Sequence, residues 1–281
     1  MVATPIGNLA DISLRALHLL QLADTIACED TRHTQTLLRA YGIDKSPAQL
    51  LAVHQHNEAQ AAEGVMARLD QGQRVAFVSD AGTPAISDPG ARLVAAVRKR
   101  AFPVVPLPGA SSVTTALSVA GIVGEDNGHG GFVFAGFLPT KAGERTAAIQ
   151  SLALEARSVV LLEAPHRIET VAAALACLGL RPITVGRELT KQFEEIATVN
   201  AVDLPGWLSA EPNRSRGEFV LVLHPAVQET DAGSAQELRV LKLLLAELPL
   251  KTAVKLAADI TGASKNVLYD TALAMKKDGA A

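Results

Sequence analysis

The sequence predicts an α/β protein of two domains followed by a small helical tail, and three observations carry that expectation. Short apolar runs rich in β-formers alternate with stretches whose apolar residues recur at helical spacing. Polar loops shaped by glycine and proline follow several of those runs, where open α/β sheets build their ligand crevices. The length of 281 residues suits two domains of the usual size, roughly 150 residues each. Glycines are dense between Gly121 and Gly131, which sets the boundary: domains over 1–121 and 122–227, with a tail over 236–281.

Composition narrows the class. Hydrophobic residues make up 48% of the chain and aromatic residues only 4%, so the core must be built mainly of Ala, Leu, Val and Ile. No apolar run approaches the ~18 residues of a membrane span, and nothing before Asp11 reads as a signal peptide. Cys28 and Cys177 are isolated and follow no metal or redox spacing, which fits a reducing cytoplasm and no metal. A net charge of −3 does not advertise a nucleic-acid binder, although local patches set the relevant field.

The chain is organised around Val78–Val94. Arg74–Val78 reads as a buried strand, and Leu93, Val94 and Val97 as a helix opening near Asp88-Pro89, with Asp88 as its cap. Asp80, Gly82, Thr83, Pro84 and Ser87 fill the loop between them. The loop matches neither the phosphate-loop pattern nor GxGxxG, so phosphate binding is not indicated. A ligand crevice and a plain strand–helix turn both give this pattern.

Taken in order, Val2–Leu9 starts almost without a strand, and Ser13 caps a helix carrying Leu14, Leu17 and Leu20. Thr25–Glu29 is a strand running into Glu29-Asp30-Thr31-Arg32-His33. That run is either a solvated helix start capped by Asp30 or Thr31, or a site built from a carboxylate pair beside Arg and His. Leu50–Val53 is a third strand, followed by His54 and His56. With no third ligand in pattern, these histidines read as polar lining or surface, and Asn57 opens a helix along Ala61, Val65 and Leu69. Pro103–Leu107 is a further strand, after which Ser111 caps a helix through Val113, Ala116, Leu117 and Ala120.

The second half reads as a mixed sheet of Phe132–Phe134, Ser158–Leu162, Pro182–Val185, Phe193–Val199 and Phe219–Leu223. Between Pro139 and Lys191, the basic residues Lys141, Arg145, Arg157, Arg167, Arg181, Arg187 and Lys191 exceed the glutamates by two. Their concentration at strand ends points to an anionic substrate. Val227–Ala235 reads as a linker. Leu238, Leu241, Leu244 and Leu245 then define a helix, Pro249 breaks it, and Thr252–Ile260 forms the next. Gly262 turns the chain into a third helix capped by Ser264. A helix-turn-helix and a plain αα-hairpin both fit.

Together Val2–Leu9, Glu29–Arg32, Ser79–Gly90, Pro106–Ser112, Glu163–Arg167 and Gly186–Lys191 resemble the ribosomal small-subunit RNA 2′-O-methyltransferases. These belong to the tetrapyrrole-methylase-like class of S-adenosylmethionine-dependent methyltransferases. The resemblance runs from Val2 to about Leu223, and the tail is similar to the family's helix-turn-helix-like appendage. It departs at the start, where members carry a fuller first strand before Val2.

The resemblance implies two α/β domains of the tetrapyrrole methylase type with S-adenosyl-L-methionine in the cleft between them, usually in a homodimer. It implies methyl transfer to the ribose 2′-hydroxyl of a cytidine in the decoding region of 16S rRNA, within the small ribosomal subunit. For the cofactor it implies Pro5, Ile6, Asp80, Gly82 and Thr83, with Ser111 and Ser112 at a helix N-terminus suiting its carboxylate. Ala164, Gly217 and Glu218 resemble the adenine-side wall. A weakly acidic hydroxyl needs a base or an oxyanion-stabilising cation, and Glu29, Asp30, Arg32, Arg187, Glu188 and Lys191 are the candidates, with the base left open. Lys191 could act as a desolvated base, and Arg32 or Arg187 could stabilise the oxyanion. The alternatives are a tetrapyrrole methylase with a porphyrin-like substrate and a non-catalytic RNA-binding module.

Overall fold

Short β-forming runs and Gly/Pro-rich turns set the architecture of this computed structural model, which describes residues 1–54, 57–122, 131–226 and 230–278. Thr25–Cys28 (β1), Leu50–Ala52 (β2) and Val75–Val78 (β3) form a parallel sheet in the order β2-β1-β3. Its helices are Leu14–Leu22 (α1), Thr31–Ala40 (α2), Glu58–Asp70 (α3) and Ala91–Lys99 (α4), with Ser112–Val119 (α5) closing the first half. Ser13 caps α1, its hydroxyl accepting the Ala16 amide at 3.1 Å. Asp30 caps α2, accepting the Arg32 amide at 2.8 Å.

The predicted strand at Pro103–Leu107 does not form; a single bridge, Val2 to Leu107, stands in its place. Pro103 and Pro106 have no N–H to give a ladder. The N-terminus fills that place instead. Val2 donates to the Phe77 carbonyl at 2.8 Å and Leu107 donates to that of Met1 at 2.9 Å, so Met1–Val2 lies between β3 and Leu107.

The second sheet is mixed: Phe132–Gly136 (β4), Ser158–Glu163 (β5), Pro182–Arg187 (β6), Glu195–Asn200 (β7) and Phe219–Leu223 (β8), in the order β4-β5-β8-β6-β7. Only β4 and β5 run parallel. All five residues of β8 are buried, as a central strand covered on both faces requires. The pleat divides them. Phe219, Leu221 and Leu223, with Val159, Leu161, Ile183 and Val185, pack against Ile149 of Ala142–Ala153 (α6), Ile168, Val171 and Leu175 of Ile168–Leu175 (α7), and Leu204 and Leu208 of Leu204–Ser209 (α8). Val160, Val220 and Val222 face the other way, onto Val113, Ala116 and Ala120 of the α5 segment. That apolar contact joins the first half of the chain to the second sheet, and its burial stabilises their packing by about 25 cal/mol per Å² removed from water.

Residues Met1–Ala226 form one compact unit and Val227–Ala281 another. The second unit holds Thr230–Glu247 (α9), Leu250–Thr261 (α10) and Lys265–Asp278 (α11), around Leu241, Val254, Ala257, Leu268 and Ala272. Gly262 turns the chain at φ 78°, a left-handed conformation that glycine adopts at no steric cost. The predicted linker over Val227–Ala235 is overturned from Thr230 onward, where α9 has already begun. Residues 227–229, most of the glycine-rich 121–131 stretch and His56 lie outside the described residues. Among the described residues no helix is long and apolar enough to cross a membrane.

Candidate functional site

Three loops meet beyond the carboxyl end of β3. Thr4 and Gly82 exchange backbone hydrogen bonds, each 3.0 Å, and the Thr83 hydroxyl donates to the Ala110 carbonyl at 3.0 Å. The loop is strained: Ala85 and Ser87 take φ of 69° and 67°, which non-glycine residues adopt only when their surroundings hold them there. Asp88 is not the cap of α4. The helix begins at Ala91, leaving Pro89 outside it, and its N-terminus is closed from elsewhere. Glu58 of α3 accepts the amides of Gly90, Arg92 and Leu93 at 3.0, 3.0 and 3.2 Å through one oxygen.

Relieved of capping, Asp88 lines a cavity of about 300 Å³. Burial pushes its carboxyl up to about 6, the charges of Glu29 and Asp80 add to the rise, and the Ser79 hydroxyl partly offsets it. Gly82, Thr83, Ser111 and Ser112 complete the wall from the first half. The Ser111 side chain makes no cap hydrogen bond to the first turn of α5, whose first residues Ser112 and Val113 also line the cavity. The second half contributes Phe137, Glu163, Ala164, Pro165 and Glu218. Glu163 engages one oxygen twice, with the Ala164 amide at 2.9 Å and Arg167 Nε at 3.2 Å. Its other oxygen, Oε2, is buried and has no hydrogen-bond partner among the described residues.

The loop after β6 is folded tightly, with Glu188 and Thr190 at φ 50° and 66°. Lys191 Nζ sits 2.9 Å from both Glu188 Oε1 and Glu218 Oε2. Burial alone would lower its pKa, but the two carboxylates outweigh that and raise it. Lys191 is therefore a paired cation in this structure, held charged by two carboxylates rather than standing as a desolvated neutral amine. Arg187 is buried, donating to the carbonyls of Arg216 and Phe193 at 2.8 and 3.1 Å, with Glu195 at 3.7 Å. It ties loops together, and an oxyanion-stabilising role does not fit so enclosed a guanidinium. Asp30 caps α2 and pairs with Arg32 at 2.8 Å, the solvated helix start, while the Arg32 side chain is 90% exposed. Asp80 accepts the Asp30 amide at 3.2 Å and its charge acts on both Asp88 and Glu29; Ile6 lines the cavity and Pro5 before it is buried. Glu29, at the end of β1, has its carboxyl raised by burial and then by the charge of Asp80. Gly217, at φ 90°, leaves room for the Glu188 side chain.

Part of the basic rim expected from the sequence is internal structure, and most of the rest is paired or tied to backbone carbonyls. Arg181 is buried and donates to the carbonyls of His224, Leu152, Ala153 and Glu155. Arg167 is held by Glu163 and the Leu138 carbonyl, Arg157 by Glu155, and Arg145 by the carbonyls of Pro139 and Thr140. Arg157 and Lys141, the latter paired with Glu144 at 3.0 Å, remain exposed. A second cavity of about 330 Å³, lined by Leu22, Leu69, Val97 and Val104, shares no residue with the first. Its charged member, Arg74, is paired with Asp24 at 2.9 Å, so it lacks the convergent polar groups of a site.

The tetrapyrrole (corrin/porphyrin) methylase family matches residues 1–205, and the RsmI C-terminal HTH domain matches residues 231–276. The ribosomal RNA small subunit methyltransferase I of Neisseria meningitidis serogroup B is 49% identical over 98% of this chain and 93% of its own. That of Pasteurella multocida is 45% identical over 97% and 95%. The chain belongs to the ribosomal RNA small subunit methyltransferase I family. The resemblance drawn from the motifs is borne out. A cobalt precorrin-4 methyltransferase shares the fold, with a TM-score of 0.58 at 19% identity, over 79% of this chain and 92% of that one. In this family member, Asp88, Glu163 and Glu58 were the residues whose places sequence reasoning missed. Asp88 looks like a helix cap in sequence, and Glu163 carries no signal of its own beyond the Glu163–Arg167 motif. Glu58 acts across 32 residues, for which sequence carries no signal.

Proposed function

We propose that the protein transfers a methyl group from S-adenosyl-L-methionine to the ribose 2′-hydroxyl of a cytidine in the decoding region of 16S rRNA. The observation that carries this reading is identity of 45–49%, over nearly the whole chain, to proteins named for methylating small-subunit ribosomal RNA. The cavity supports it chemically. Its volume of about 300 Å³ lies at the lower end of small-molecule sites. Its walls offer uncapped helix amides for a carboxylate at one side and an apolar face with an orphan acceptor at the other.

When bound, the cofactor supplies a methyl group on a sulfonium, already activated for displacement. The protein's part is alignment, water exclusion and removal of one proton. Gly82, Thr83, Ser111 and Ser112 hold the amino-acid end in this reading. Ile6, Ala164 and Glu218 border the rest, with Pro5, Asp80 and Gly217 supporting from behind. Asp88 in the cavity wall and Glu29, whose charge acts on it, are both raised above the ordinary carboxylate range and are the candidate proton acceptors. Lys191, clamped by Glu188 and Glu218, serves as a fixed cation near the reacting oxygen or its phosphate.

In this reading the chain divides into 1–121, 122–227 and 236–281. The reading includes a homodimer acting in the cytoplasm on the small ribosomal subunit, with α9–α11 gripping RNA. Methyl transfer from labelled cofactor to undermethylated small subunits, followed by mapping of the modified nucleotide, tests it. A methyl group on a base, on another nucleotide, or on uroporphyrinogen instead of rRNA overturns it.

A further inference from the structure

We propose that Glu163 positions the nucleoside part of the cofactor, its Oε2 accepting a hydrogen bond from a donor on the adenine or the ribose. The inference rests on the cleft reading above. Glu163 ends β5, and its side chain is only 1% exposed. One carboxylate oxygen is fixed by the Ala164 amide and by Arg167, which is itself anchored to the Leu138 carbonyl. That leaves Oε2 held in one orientation, buried in a residue that lines the cavity, and without a partner among the described residues. An acceptor removed from water and left unpaired costs free energy, and native structures leave few such atoms. A partner arriving with the ligand removes the cost.

The surroundings identify which part of the ligand brings it. The uncapped start of α5, with Ser111 and Ser112, suits the ligand's carboxylate, and the attached ammonium must stay within a bond or two of it. Around Glu163 the wall is apolar: Phe137, Leu162, Ala164 and Pro165. An apolar wall with one fixed acceptor matches a flat heteroaromatic ring with an exocyclic amine, or the sugar attached to it. An anionic phosphate does not match it.

The test is calorimetry on the full chain with S-adenosylhomocysteine and three analogues: hypoxanthine in place of adenine, and the 2′-deoxy and 3′-deoxy sugars. Glu163→Gln presents an amide N–H where Oε2 stood, so binding of S-adenosylhomocysteine weakens about ten- to hundredfold, the range for a hydrogen bond to a charged group. One analogue binds the wild-type protein that much more weakly, yet loses nothing further in Glu163→Gln. The analogue that behaves so names the donor as amine or hydroxyl. Unchanged affinity in the variant overturns the proposal, as does a loss that simply adds to that of every analogue, which a structural role predicts. An effect confined to the KM for RNA also overturns it. Should Glu163→Gln fail to fold, wild-type protein that binds all three analogues as well as the parent overturns it unaided. Absence of methyl transfer to rRNA, with these binding results intact, would instead sink the proposed function.

Discussion

Glu58 and Gly90 are joined by a 3.0 Å hydrogen bond in which a carboxylate of α3 accepts the amide that opens α4. The same oxygen takes the amides of Arg92 and Leu93, so one largely buried side chain closes the helix whose preceding loop forms a wall of the cavity. Glu58→Ala leaves these donors unpaired and should cost about 1.5–3 kcal/mol of stability, the range for hydrogen bonds to a charged group. A lower urea midpoint at constant m-value would show it. Affinity for S-adenosylhomocysteine should fall as well, because Ser87 and Asp88 lose their support. Glu58→Gln keeps an acceptor and should recover part of both. A midpoint unchanged in the alanine variant would remove Glu58 from the account.

Gly217 makes a second relationship testable. A Cβ there would lie 2.5 Å from Glu188 Cγ and 2.6 Å from its Cδ and Oε1, at a φ of 90° that already disfavours any side chain. Gly217→Ala must therefore push Glu188 away from Lys191 and from the Glu218 amide, each now 2.9 Å distant. Gly42→Ala is the control, because Gly42 has φ 69° but nothing within 4 Å of the added carbon. Both should lose about 1–2 kcal/mol to backbone strain. Only Gly217→Ala should also lower methyl transfer. Equal behaviour of the two variants in a transfer assay would mean that the clamp is not needed.

Asp88 gives the pH dependence. Its carboxyl ionises at about 6 in the folded protein against an ordinary 3.8, so the folded state holds the proton more tightly than the unfolded chain. The sign follows: this contribution to stability is complete below the unfolded value and is lost as pH rises from about 4 to about 6. Asp88→Asn should flatten the melting-temperature profile across that window. As a proton acceptor, Asp88 works only when ionised, so kcat/KM should rise through an apparent pKa near 6. A variant retaining both the limb and the full rate would pass the role to Glu29.

These positions show which parts of the molecule were legible in the sequence. Strands such as Val75–Val78 and Phe219–Leu223 declare themselves as β-branched and aromatic runs, and Ser13 and Asp30 act as the caps their positions suggested. Pro103–Leu107 misled because its apolar residues outweighed two missing donors, while Met1–Val2 was too short to read as part of a sheet. Charge misled more. Arg181, Arg187 and Arg167 stand at strand ends in sequence, yet each turns inward to cap carbonyls. A residue type states what it can bond, not which way the fold aims it. The crevice itself was readable at Gly82, Thr83 and Ser111, because loops that close need small residues there.

The last expectation concerns α9–α11. Among the described side chains of this unit, Arg239, Lys242, Lys251, Lys255 and Lys265 are exposed, and α11 opens with Asn266, Val267 and Tyr269 also exposed. A helix start that shows cations, an amide and an aromatic ring suits phosphate contact beside a splayed base. The net charge of −3 gives the whole chain little long-range attraction for RNA, so these local cations should carry much of the grip. Residues Met1–Ala226 hold both sheets and the cavity, and deletion of 227–281 should leave S-adenosylhomocysteine affinity nearly unchanged. Transfer to undermethylated small subunits should fall, and the dependence of RNA affinity on salt should become shallower, by about 0.7–0.9 in logarithmic slope per lost phosphate contact. Lys265→Glu tests the same point without truncation, since its side chain is 60% exposed and its nearest carboxylate, Asp259, is 3.9 Å away. It should raise the KM for small subunits while leaving kcat and folding stability intact. A truncated protein matching the full chain at every salt concentration would show that the tail does not touch the substrate.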